Sequence, residues 1–375
     1  MNISDLTLKY EEKAIFALRS LYSKYGYSQY KMKKFEEYDL YVKNKDFLIG
    51  DSVITFTDTN GKLMALKPDV TLSIIKNSKD IKGYAEKLYY NENVYRVSKG
   101  SKNFKEIMQV GLECIGDVDD YCISEVVSLA CKSLKEISEN SVLSISHLGI
   151  LSAVLDFDNI TDELKSEIIK CIEEKNEHEL EKICSKNNID STKSELIKKL
   201  ISIYGSIDTV LPKLKSLSAD TEYVQAYNQF EKILSLISDK EIRDMIQIDF
   251  SVVSDTKYYN AITFKGFVEK IPGSILSGGQ YDSLMKKMSK KSSAIGFAVY
   301  LDMLDALNTT SENYEQDIII LYDETTDESS LKKLTDELIS QGRRVCAQRF
   351  VPDRLTYRQL IRLKNGEVES VEKND

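Results

Sequence analysis

The residues best placed to do chemistry in this chain lie between Leu88 and Gly116, in the segment LYYNENVYRVSKGSKNFKEIMQVGLECIG. It reads as two strands joined by a Lys/Gly/Ser/Asn loop, with Arg96 near the end of the first. Side chains alternate between faces along a strand, so Gln109, Gly111 and Glu113 share one face of the second. An amide, a glycine and a carboxylate make a poor core. They make a suitable floor for a small polar ligand, with the glycine leaving room for it. A second candidate wall comes from KYYNAITFKGFVE, where alternation groups Tyr259, Ala261 and Thr263 and puts Tyr258 on the opposite side. In KPDVT, Asp69 and Thr71 open an expected helix that either side chain is able to cap.

These groups need elements to hold them. Apolar spacing at Ala14, Leu18, Leu21 and Tyr22 predicts a helix over residues 5–25, with Gly26 at its end. SVITFT and KLMAL flank Asp58-Thr59-Asn60-Gly61, a strong hairpin signal. A helix is expected from Asp120 to Ile137, and residues 150–243 read as a helical insert without a convergent polar cluster. Strand patterns return with IQIDFSVV, KYYNAITFKGFVE and SILSGGQ, whereas SAIGFAVYLDMLDAL reads as a helix apolar all round. The C-terminal stretch predicts a βαβ unit (DIIILYDE, SSLKKLTDELISQ, RRVCAQRF) closed by an Asn-Gly hairpin in YRQLIRLKNGEVESVE. The expected division is therefore a core over residues 1–310, containing the insert, and a small α/β unit over 311–375, with the boundary near Ser311.

Composition excludes several classes. The chain has 375 residues, 42% hydrophobic and 30% charged, as expected for a globular protein of two or three domains. A net charge of −9 argues against a broad nucleic-acid footprint. Six scattered cysteines lack any CxxC pair and suit a reducing compartment, and two histidines leave little material for a metal centre or a catalytic triad. His178 reads as a solvated helix residue and His147 as a packing or turn residue. Neither a secretory signal nor a membrane span is apparent, so a cytoplasmic location is expected, with no metal and no cofactor.

Five segments in one order carry a family resemblance. LKPDVT, LYYNENVYR…FKEIMQVGLECIG, KYYNAITF, SGGQYDSL and AIGFAVYLDML resemble the signature segments of the class II aminoacyl-tRNA synthetase core, and most closely its histidyl branch. The resemblance spans roughly residues 5 to 307 and implies an α+β fold, an antiparallel sheet flanked by helices. It also implies a histidine recess. Asp69, Thr71 and Gln109 match contacts to the α-amino group, Glu113 and Tyr259 the groups that read the two imidazole nitrogens, and Tyr258 the other half of the Tyr-Tyr signature. Tyr281 matches a pocket wall and Arg96 the motif 2 arginine. An imidazole offers one donor and one acceptor, which a carboxylate and a hydroxyl on facing strands are able to read.

The departures concern ATP. Met303 stands where the family has the motif 3 arginine, Ser254 replaces a second arginine ahead of Tyr258-Tyr259, and Gln280 replaces a third. Ile107-Met108 replaces an aromatic-His pair. Loss of one such electrostatic contact typically costs about 10²–10³ in rate. The pattern resembles the regulatory-subunit family of ATP phosphoribosyltransferase, a non-catalytic synthetase paralogue. This implies a short-form catalytic subunit as partner in the first step of histidine biosynthesis, with L-histidine as effector and a role for tRNA not expected. Self-association through the class II core is implied too, although Lys33 stands at the motif 1 proline. The rival readings are an active histidyl-tRNA synthetase and a synthetase-like module regulating another enzyme.

Overall fold

Helix α1 (Tyr10–Lys24) buries Ala14, Ile15, Leu18 and Tyr22 as one stripe and ends before Gly26, whose φ of +81° suits a helix terminus. The computed structural model containing it describes residues 8–45, 48, 53–97, 103–157, 160–252, 258–307, 314–364 and 367–374. The readings placed on Ser254, on the Ser311 boundary and on the Asn365-Gly366 turn lie outside the described residues.

After α1 come β1 (Ser28–Gln29), β2 (Phe35–Glu37) and the short α2 (Tyr38–Lys43). The Asn60-Gly61 turn joins β3 (Thr55–Thr57) and β4 (Leu63–Leu66) as an antiparallel pair, with β2 on the other side of β4. Asp58 secures that turn by accepting the backbone N–H groups of Asn60 and Lys62, each at 2.8 Å. Helix α3 (Thr71–Asn77) follows, then the long hairpin of β5 (Ala85–Val97) and β6 (Phe104–Gly116). Helix α4 (Asp120–Ile137) starts at Asp119, whose carboxylate accepts the Cys122 N–H at 2.9 Å.

Strand β7 (Ser141–His147) leads into the insert, built from α5 (Leu148–Val154), α6 (Asp162–Glu173), α7 (Glu177–Lys186), α8 (Ser191–Ser202), α9 (Ile207–Lys215), α10 (Thr221–Ser235) and α11 (Lys240–Asp244). A short β8 (Tyr204–Ser206) precedes α9. The chain then returns through β9 (Ile246–Asp249), β10 (Ile262–Val268), β11 (Ser274–Gln280), α12 (Asp282–Lys287) and β12 (Ser293–Tyr300). Among the described residues these strands form a mixed sheet in the order β1-β5-β6-β12-β11-β10-β7-β9-β8, mostly antiparallel.

Helices α1 and α4 cover one face of this sheet. Tyr22 sets its ring edge-on to Phe297 at 6.0 Å and shares a 2.9 Å hydroxyl hydrogen bond with Ser133. A Cβ at Gly266 would come within 2.7 Å of Leu134, so the glycine lets α4 lie flat against the sheet. The face carrying Leu112, Phe264 and Phe297 is thus committed to the core, and the opposite face is left for other work.

Three expectations are corrected. The segment SAIGFAVY is β12, not a helix, and a 3-10 turn follows it over Leu301–Leu307. Its apolar residues are buried between β6 and β11, and a short all-apolar run suits a central strand as well as a buried helix. Tyr258 and Tyr259 are not on a strand, because β10 begins at Ile262. Their rings meet at 4.8 Å instead of facing opposite ways. Asn260 holds the bend by accepting the Asp282 N–H at 2.7 Å while donating its own N–H to the Gln280 carbonyl. The expected strand IQIDFSVV ends at Asp249, whose carboxylate accepts the Ser251 N–H at 2.8 Å and starts a 3-10 turn.

The chain divides into two compact units, Met1–Ala306 and Leu307–Asp375. The second has β13 (Gln316–Leu321), α13 (Glu328–Ser340), β14 (Val345–Gln348), β15 (Tyr357–Lys364) and β16 (Glu367–Lys373). Strand β13 runs parallel to β14 and β15, β16 closes an antiparallel hairpin on β15, and Ile318, Ile320, Ile361 and Leu363 form its core. Among the described residues, no helix is long and apolar enough to cross a membrane.

Candidate functional site

The sheet face left open by α1 and α4 carries the expected floor. Register pairs Glu113 with Leu88 on β5 and Gly296 on β12, Gly111 with Tyr90 and Ala298, and Gln109 with Glu92 and Tyr300. Paired residues point to the same side, so these nine positions make one patch, small in the middle and polar at its edges.

Glu113 is the centre of that patch and is 2% exposed. Thr71 donates its hydroxyl to Oε1 at 2.7 Å, and Tyr281 donates its hydroxyl to Oε2 at 2.5 Å. Burial pushes the Glu113 carboxyl up to about 8, with the Tyr281 and Thr71 hydroxyls opposing the rise and the charge of Asp69 adding to it. A Cβ at residue 296 would lie 1.7 Å from Oε2, so only glycine on β12 leaves the carboxylate its seat. Glycine 111 acts likewise: a Cβ there would come within 2.4 Å of the Tyr90 hydroxyl.

Asp69 and Thr71 reach the site from the start of α3. Asp69, also buried, accepts the Leu72 N–H at 2.9 Å, so it caps the helix as well as facing the recess. Burial raises its carboxyl, and the nearby Arg96 charge partly offsets this. Arg96, half-buried on β5, donates from Nε to the Pro68 carbonyl at 2.9 Å. Next to it Lys67, 1% exposed, forms an ion pair with Glu92, which also accepts the Met32 N–H at 3.1 Å.

Aromatic rings close the recess. Tyr258 packs against Tyr259 and lies 5.8 Å from the Tyr281 ring, centroid to centroid. The Tyr259 ring covers Gly279, where a Cβ would meet it at 2.7 Å. Tyr259 and Asn260 also line a cleft of about 620 Å³ whose other wall is α5 and α6 of the insert, with Leu148, Asp162 and Lys165. Burial raises the Tyr90, Tyr258 and Tyr281 phenols well above their ordinary range, so they act as neutral hydrogen-bonding groups.

The structure therefore brings Asp69, Thr71, Glu113, Tyr258 and Tyr281 into one connected cluster, with Gln109 buried along the same strand face and Tyr259 beside it. Arg96 reaches that cluster at Pro68 and Asp69. Three contributors were not singled out from the sequence: Tyr90, the Lys67–Glu92 pair and Gly296. Tyr90 and Glu92 alternate with Leu88 on β5, whereas Lys67 lies outside that strand; Gly296 was hidden by reading its strand as a helix. Met303 is half-buried in the 3-10 turn after β12. His147 lies outside the recess as a buried cap, its Nδ1 accepting the Gly149 N–H at 3.1 Å, and His178 is exposed on α7. Among the described residues, no cluster of His, Cys, Asp and Glu has the grouping of a metal site.

Comparison with known proteins adds relatives to this geometry. Residues 4–304 match the family model described as histidyl-tRNA synthetase. The ATP phosphoribosyltransferase regulatory subunit of Oceanobacillus iheyensis is 28% identical over 291 residues, 77% of this chain and 71% of that protein. The histidine–tRNA ligase of Methanocaldococcus jannaschii is 28% identical over 335 residues, 87% and 79% of the two chains. Two solved structures share the fold. An ATP phosphoribosyltransferase regulatory subunit/histidyl-tRNA synthetase from Bacillus halodurans superimposes with a TM-score of 0.74 at 20% identity, covering 96% of this chain and 99% of that one. A chain of the ATP phosphoribosyl transferase (HisG:HisZ) complex from Thermotoga maritima gives 0.61 at 19% identity, covering 78% and 97%.

Proposed function

This chain belongs to the histidyl-tRNA synthetase family, matching its model over residues 4–304, and from that premise we propose that it is the regulatory subunit of an ATP phosphoribosyltransferase. The relative from O. iheyensis bears that name, and the T. maritima neighbour is a complex of two kinds of chain. Its role is in histidine biosynthesis, as the partner of a short-form catalytic subunit.

One observation carries the non-catalytic part of this reading. The amino-acid side of the recess is built and connected through Thr71, Glu113 and Tyr281, while methionine occupies position 303, where the resemblance calls for an arginine. Adenylate formation concentrates negative charge on phosphorus, and a thioether offers no hydrogen-bond donor to it. A chain that holds an amino acid but does not activate it suits regulation. The effector acts by linkage: L-histidine shifts the complex only as far as it prefers one state over the other, typically about 1–3 kcal/mol. Asp69, Thr71, Arg96, Gln109, Glu113, Tyr258, Tyr259 and Tyr281 are the residues assigned to its recess. Self-association through the class II core and a cytoplasmic setting belong to the same proposal.

The test is reconstitution. Mixing the chain with a short-form catalytic subunit is expected to raise phosphoribosyl-ATP formation well above that of the catalytic subunit alone. No change on mixing rejects the regulatory role, and charging of tRNA with histidine by this chain would restore the ligase reading that the M. jannaschii relative represents.

A further inference from the structure

A second cluster of reactive side chains lies on the core side of β6, away from the recess. Cys114 follows Glu113 in β6, so its side chain leaves the opposite face of the strand, on the side that α4 covers. There it meets Cys122 in the first turn of α4, and the two thiols are hydrogen-bonded to each other. Cys114 is fully buried, whereas Cys122 keeps 8% of its surface open. Strand register places Lys87 of β5 beside Cys114. The Lys87 ammonium donates to Glu125 of α4 at 2.5 Å and stands 5.5 Å from the centre of the Tyr27 ring. The hydrogen bond between the thiols divides their roles. It holds Cys114 well above the ordinary thiol range, with burial adding to the rise, and it holds Cys122 below that range, with burial and the Asp119 carboxylate opposing.

A partly open thiol that ionises readily, with a buried protonated thiol against it, is the arrangement of an attacking and a resolving cysteine. We infer that Cys122 and Cys114 form a peroxide-sensitive dithiol, in which Cys122 takes the oxidant and Cys114 closes the disulfide. The Cys122 sulfur attacks a peroxide oxygen; an S–O bond forms as the O–O bond breaks, and hydroxide leaves. The Cys114 sulfur then attacks the sulfur of the Cys122 sulfenic acid, forming the S–S bond and expelling a second hydroxide. The two thiol protons convert both hydroxides to water, so the pair loses two electrons and hydrogen peroxide gains them. The bond ties the first turn of α4 to the strand whose other face carries Glu113, and thiol reductants reopen it.

Exposure of the full-length chain to hydrogen peroxide, followed by thiol counting in denaturant and peptide mapping, tests this. The count is expected to fall by two from six and to return with dithiothreitol. Cleavage at Asp117, Asp119 and Glu125 separates Cys114, Cys122 and Cys131, so the bridge is read in the natural chain. The peptides carrying Cys114 and Cys122 are expected to stay joined until reduction. An unchanged count, or either cysteine joined to a different one, overturns the inference. In Cys114→Ser the sulfenic acid has no resolving thiol, so dimedone is expected to label Cys122 at least about tenfold more than in the natural chain. Equal labelling of Cys114 in Cys122→Ser also overturns the inference, because it removes the distinction between attacking and resolving thiol.

Discussion

At the scale of single residues, Glu113 shows how burial and hydrogen bonding set a group's protonation. Desolvation lifts its carboxyl from 4.5 to about 8 although two hydroxyls donate to it. The folded chain therefore holds a proton that the unfolded chain has lost across that window. Stability attributable to Glu113 is full at acidic pH and falls as pH rises between the two values, by up to about 1.4 kcal/mol per pH unit. Glu113→Gln removes this slope. The variant is expected to gain melting temperature relative to the natural chain between about pH 6 and about pH 8; parallel melting curves across that range reject the assignment. From the sequence, Glu113 was recognisable as a polar residue on a strand face beside Gly111. Its saturation by Thr71 and Tyr281, 42 and 168 residues away along the chain, was not, since alternation within a strand says nothing about distant partners.

At the scale of elements, the central strands decide what the recess is able to hold. Gly296 on β12 sits opposite Glu113 with no room for a methyl group. Gly296→Ala is expected to displace the carboxylate and break its bonds to Thr71 and Tyr281, costing about 1–3 kcal/mol as an overpacked core does. Loss of any L-histidine-dependent thermal shift in a chain that still melts cooperatively is the expected readout. A retained shift would mean that Glu113 is not held by that gap. The helices were more legible. The bounds of α4 follow from Asp119 as cap and from an apolar face that repeats every turn, and the β3–β4 hairpin from Asn60-Gly61. Strand β7 escaped because SVLSISH is short and only half alternating, and its place between β10 and β9 comes from pairing with strands distant in sequence.

At the scale of the whole molecule, every residue assigned to the recess falls within Met1–Ala306, and the unit Leu307–Asp375 has its own sheet and apolar core. A chain ending after Leu307 is accordingly expected to melt in one transition and to bind L-histidine as the full chain does, within about twofold. Failure of that shorter chain to bind, when soluble and folded by circular dichroism, would make the C-terminal unit a requirement for the recess. The acidic total of −9 is a property of the whole chain, and it coexists with local needs such as the buried Lys67–Glu92 pair that ties the start of α3 to β5.

Local order was sufficient for the amphipathic helices, the Asn60-Gly61 turn and the order of the five family segments, because each depends on neighbours within a few residues. Whether SAIGFAVY became strand or helix, whether Tyr258 and Tyr259 faced together or apart, and which groups would satisfy Glu113 waited for tertiary structure. Those outcomes rest on contacts between strands and loops far apart along the chain, and a run of apolar residues or a pair of tyrosines carries no record of what will lie against it.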